Sequence, residues 1–178
     1  MRTASTRPFV VASLLIACSN SSAWAVGVPT ISWVVHDQSS NQIVEITRPA
    51  DTITLNGNHS FDVKLVVKGL GAPSDVAIGG KILGLQCGAA GSSRSRKATR
   101  RALPQHVATA APDQPAEMTL SFNGDGIPLC AGANLGAGTA DRVNGGTIRI
   151  NGSSIDKHES QFRATGTLTI KLIPDAAQ

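Results

Sequence analysis

The chain contains no tyrosine, and only 3% of its 178 residues are aromatic. Beyond residue 25 the aromatic side chains are Trp33, Phe61, Phe122 and Phe162. A core made from this sequence must therefore be aliphatic, built from Val, Ile and Leu, which suit pleated, half-buried surfaces. The shortage also bears on ligands. Sugar-binding sandwiches that stack rings need exposed Trp or Tyr, whereas alternation with Ile31 and Val35 turns Trp33 inward. Single-stranded nucleic-acid modules stack bases on aromatic side chains, so specific nucleic-acid recognition is not expected.

Several other patterns are missing. Helical periodicity is hard to find, and no apolar run approaches the roughly 20 residues of a transmembrane helix. The zinc-protease pattern His-Glu-x-x-His and the Gly-x-Ser-x-Gly elbow are both absent. His36, His59, His106 and His158 fall at strand ends or in loops, without metal-ligand spacing. No catalytic residues, metal ligands or cofactor are expected. Asn123-Gly124-Asp125-Gly126 has turn composition and lacks the downstream acidic ligands of a calcium loop.

What the sequence does contain begins with an export signal. Arg2 and Arg7 precede an apolar run over 9–17, and Ala23-Trp24-Ala25 supplies a small-x-small cleavage site. Residues 1–25 read as a cleavable signal peptide and 26–178 as a single domain, secreted or periplasmic. Leu15-Ile16-Ala17-Cys18 also has the form of a lipobox. Lipidation of Cys18 would make the protein an outer-membrane lipoprotein, the one route by which it would meet a membrane.

In an oxidising compartment the two remaining cysteines, Cys87 and Cys130, are expected to form a disulfide. Charge is local. Removing Arg2 and Arg7 from the 16 Lys and Arg leaves 14 against 12 acidic residues, a net of +2. Arg94, Arg96, Lys97, Arg100 and Arg101 carry +5 of this, so the rest of the chain stands at −3.

Period-two alternation dominates. Phe162 to Leu172 places apolar or small residues at even positions and Arg, Thr or Lys at odd ones, and Phe61, Val63, Leu65 and Val67 alternate with polar neighbours. Shorter strands are expected over 30–36, 43–47, 52–55, 76–78, 82–87, 118–122 and 147–151, with Gly79-Gly80 marking a bulge or bend. The expected fold is all-β, a two-sheet antiparallel β-sandwich of immunoglobulin-like type. Residues 88–116 combine Gly, Ser, Pro and the basic cluster, and read as a long mobile insertion with too little apolar content to order itself. A second Gly- and Ala-rich loop follows over 131–146.

The basic residues of that insertion are the one feature that invites binding, to a protein partner or an anionic surface. The leading function class is a non-catalytic structural or interaction module of the cell envelope or secretome. Two alternatives remain: a fimbrial or adhesin-like surface subunit using strand complementation, and a secreted hydrolase with its site on the Gly-rich loops.

Overall fold

The computed structural model describes residues 28–88, 96–97, 100–130 and 141–175. Residues 1–25, read from the sequence as a signal peptide, Cys18 among them, and Arg94 lie outside the described residues. Alternation of apolar residues sets the first sheet, which contains β1 (Thr30–Asp37), β2 (Gln42–Ile46), β4 (Phe61–Lys68) and β8 (Ala116–Phe122) in the order β2-β1-β4-β8. All three pairings are antiparallel. The second sheet holds β3 (Ala50–Asn56), β10 (Phe162–Ile173), β9 (Arg142–Asp156) and β5 (Ser74–Gly88) in that order. On the outer side of β5 lie β6 (Arg96–Lys97) and β7 (Arg101–Ala110).

The alternating strands turn their apolar sets into one shared core, except that Phe162 at the start of β10 is exposed. Trp33, Leu65, Ile148, Ile150, Leu168 and Ile170 are all fully buried between the sheets. Trp33 therefore faces inward as alternation requires, and its indole Nε1 donates to the Pro49 carbonyl at 3.2 Å. The layer spacing here depends on Gly152, because a Cβ at that position would stand 2.6 Å from Leu65 Cδ1 and 3.0 Å from the Trp33 ring. Phe61 and Phe122 stack across β4 and β8 with ring centroids 5.0 Å apart.

Three expectations change. The sheets are not wholly antiparallel, since β3 runs parallel to β10 from Thr167 opposite Ala50 to Ile173 opposite Asn56. After β2 the chain crosses between sheets at Arg48-Pro49, and the Pro49 carbonyl accepts from Thr167 N at 2.8 Å to start this pairing. The segments 76–78 and 82–87 are one strand, β5, with its register irregularity at Gly79.

The third correction concerns the insertion 88–116, which is not a mobile loop over its described part. Residues 101–110 form β7, paired with β5 from Ser74 opposite Ala110 to Ile82 opposite Arg101. The low apolar content misled because an edge strand is held by its backbone ladder and needs few buried side chains; Leu103 alone is buried in β7. Pro104, which cannot donate to a ladder, falls where the register shifts between the Ile78–His106 and Gly80–Leu103 pairs. Residues 89–95 and 98–99 lie outside the described residues.

Candidate functional site

The strand ends Asp37, Asn56, Phe61, Cys87, Phe122 and Arg142 meet at one pole of the sandwich, and polar side chains converge there. The Cys87 and Cys130 sulfurs stand 2.01 Å apart, at bonding distance, with their Cα atoms 5.8 Å apart. Beside them Asn123, almost fully buried and at φ 56°, donates through Nδ2 to the carbonyls of Gly57 and His59, and accepts from Leu129 N at 3.1 Å. Asn123-Gly124-Asp125-Gly126 is thus a turn whose amide oxygen is already engaged. Among the described residues no group of three or more His, Cys, Asp or Glu could hold a metal ion.

The closest approach to a catalytic pair is His59 with Asp37. His59 Nδ1 lies 2.7 Å from Asp37 Oδ2, and Nε2 lies 3.1 Å from Asn56 Nδ2. Asn58 N donates to Asn56 Oδ1 at 2.9 Å, which orients the Asn56 amide with its nitrogen toward the ring. His59 Nε2 therefore accepts, its proton sits on Nδ1, and both ring nitrogens are consumed. Asn56 Nδ2 also donates to Asp175 Oδ1 at 2.5 Å, and Arg142 Nη1 pairs with Asp175 Oδ2 at 3.1 Å. This chain of contacts ties the ends of β1, β3, β9 and β10 together. A general base needs an open nitrogen within reach of a substrate proton, and His59 has none.

Burial pushes the buried Asp37 carboxyl upward, but hydrogen bonds from His59 and from the Ser40 side chain and backbone outweigh it and leave the pKa below the ordinary 3.8. At the opposite pole the His158 backbone N–H is the main cause of a lowered Asp156 pKa; burial opposes it, and the Glu159 N–H and Arg163 assist. Arg163 also pairs with Glu159. These groups border a cleft of about 270 Å³ that includes Val28, Phe162 and Ser74. Within it Asp156 and Arg163 pair at 3.1 Å and neutralise one another.

Of the basic residues Arg94, Arg96, Lys97, Arg100 and Arg101, the side chains of the first three lie outside the described residues. Arg100 and Arg101 are exposed, and Arg101 Nη2 donates to the Pro128 carbonyl at 2.6 Å, bracing the loop that carries Cys130. Arg96 and Lys97 pair through their backbones with Cys87 and Gln86. Asn58 exchanges two hydrogen bonds with the Val143 backbone, and Asn151 Oδ1 accepts from Thr167 Oγ1.

Sequence reasoning missed the outer face of the second sheet. A depression of about 380 Å³ lies there over the β5 irregularity, lined by Ala77, Gly79, Ala102, Gln105, Asn151 and Ser153 among others. Beside it, a Cβ at Gly80 would clash with the Arg149 carbonyl oxygen, so this close approach of β5 to β9 needs glycine. In the next row across the sheet Lys81 stands opposite Arg149. Single-strand alternation marks all these side chains as outward, but only the register shows that they are neighbours.

No protein-family model matches the chain, and no curated protein matches it either. Among the described residues no helix is long and apolar enough to cross a membrane.

Proposed function

We propose that the protein is an exported, non-catalytic β-sandwich serving as a structural or interaction module of the cell envelope or secretome. The observation that carries this is the His59 clasp. Among the described residues His59 is the one histidine hydrogen-bonded to a carboxylate, and both of its ring nitrogens serve to join strand ends. Export rests on Arg2, Arg7, the apolar run 9–17 and Ala23-Trp24-Ala25, together with a cysteine pair at bonding distance that suits an oxidising compartment.

Two features support the immunoglobulin-like reading. β4 pairs with β8 in one sheet, and β10, β9 and β5 follow in order in the other, which corresponds to the B–E and G–F–C orders of such sandwiches. Trp33 and the cysteines stand on other strands than in antibody domains. Strand complementation has less support. β10 already fills the slot between β3 and β9, and a chain processed after Ala25 has only residues 26–29 ahead of β1 to lend to a neighbour.

Intact mass of material recovered outside the cytoplasm tests the export reading. A chain starting at Val26 supports the soluble form, and a lipid-bearing Cys18 start supports the anchored form. Retention of residues 1–25 in exported protein overturns both. A broad hydrolase screen tests the non-catalytic reading, with turnover that disappears on a point substitution being the result against it.

A further inference from the structure

The outer face of the second sheet carries groups that the fold itself does not use. Lys81 and Arg149 are direct cross-strand partners between buried Ile82, Ile148 and Ile150, so both project outward. Opposite residues in an antiparallel pair hold their Cβ atoms only about 5 Å apart, where like charges destabilise the sheet. Neither has a carboxylate within 4.0 Å among the described residues. Lys171 lies on the same face, one strand over and diagonal to Arg149. The acidic residue of β5 on this face is Asp75. It sits about 20 Å along the strand from Lys81 and is occupied by Thr109 and Lys157.

The adjoining depression has matching chemistry. Asn151 Oδ1 accepts from Thr167 Oγ1 at 3.2 Å, which holds the amide so that its nitrogen remains a donor with no partner among the described residues. Gln105 and Ser153 line the same hollow, and their side chains also lack partners there. Amides and hydroxyls offer both donors and acceptors, as sugar hydroxyls do. A volume of about 380 Å³ lies in the range of small-molecule sites.

We infer that this face binds an acidic saccharide, with Gln105, Asn151 and Ser153 contacting ring hydroxyls and Lys81 and Arg149 holding a carboxylate or sulfate. The inference rests on the interaction-module reading and names its ligand class. The face has no aromatic side chain, which removes base stacking for a nucleic acid and ring stacking for a sugar alike, so the saccharide is held by hydroxyl hydrogen bonds and charge. It is favoured over an acidic peptide because the hollow contains no large apolar pocket to anchor a side chain.

The test uses the processed protein with a heparin-derived oligosaccharide and an oligogalacturonate, and with a neutral dextran oligomer and single-stranded DNA as comparisons. Binding to at least one acidic saccharide is expected, weakening with salt, with none to dextran and much less to DNA. The double variant Lys81→Gln/Arg149→Gln should bind about tenfold or more weakly, while Lys68→Gln on the other sheet should not change affinity. Should the double variant fold poorly, wild-type protein gives the answer by NMR, through shifts of the Gln105 and Asn151 side-chain amide resonances during titration. Absence of binding to both acidic saccharides, equal binding to DNA, unchanged affinity in the double variant, or amide resonances that stay still would each overturn the site. Chromatography of the incubated oligosaccharides separates the two readings: shortened products sink the non-catalytic function, whereas binding that survives Lys81→Gln/Arg149→Gln sinks this site alone.

Discussion

Replacing Cys87 and Cys130 together by alanine should lower stability by about 4 kcal/mol. The magnitude follows from the sequence separation of 43 residues, for which the chain-entropy relation gives that much loop-closure free energy in the unfolded state. The native state should change little, because two other contacts hold the same corner: Arg101 Nη2 on the Pro128 carbonyl and Asn123 Oδ1 on Leu129 N. Total stabilities of domains run only to about 5–15 kcal/mol, so the loss is a large share. Urea unfolding followed by circular dichroism is the assay. With a slope of roughly 1–3 kcal/mol/M, the midpoint should fall by about 2 M. The sheet spectrum before unfolding should be unchanged. Dithiothreitol should reproduce the loss in wild-type protein and do nothing further to the variant. A decrease below about 1 kcal/mol would refute the reasoning, because it would mean that the bond does not restrict the unfolded chain as the relation requires.

Two adjacent glycines should behave differently. Gly80→Ala forces a Cβ against the Arg149 carbonyl on β9 and should cost more than about 2 kcal/mol, whereas Gly79→Ala meets Gln105 at 3.5 Å, an ordinary contact, and should be near neutral in urea titrations. Asp37→Asn should lower stability at neutral pH by about 1–3 kcal/mol through weakened charged hydrogen bonds. The native Asp37 carboxyl titrates below its unfolded value of 3.8, so its contribution is complete above that pH and is lost as pH falls through the native value. The wild type and Asp37→Asn should therefore converge on acidification in parallel urea titrations, and a constant gap would contradict the assignment. Under limited thermolysin, which cuts before apolar residues, bonds within β7 should resist cleavage because its backbone is held in the β5 ladder; early cuts in β7, read by peptide mass, would contradict that pairing.

Much of the fold was legible in the chain before any tertiary information. The alternation through Phe162 to Leu172 and Phe61 to Val67 set which side chains enter the core, because side-chain direction reverses at every residue of a strand. Those faces are the buried ones here, Trp33 included, except at Phe162, which is exposed. The Cys87–Cys130 partnership followed from there being no other pair once the signal segment is set aside. Less legible was 101–110, where composition pointed to disorder and backbone pairing prevailed. A ladder's hydrogen bonds are made by groups that every residue except proline carries, so a strand held mainly by them leaves little trace in side-chain pattern.

The parallel placement of β3 on β10 and the outer-face site were decided by tertiary structure alone. Local pattern says that Lys81, Asn151, Arg149 and Thr167 each point away from the core, and nothing in the chain says which of them are neighbours. Adjacency across a sheet depends on strand order and register, which are set by how the whole core closes. The sequence by itself determined an aliphatic, two-faced β chain with one cysteine pair; only the closed sandwich brought to one surface two cations and three polar side chains with groups that have no partner among the described residues.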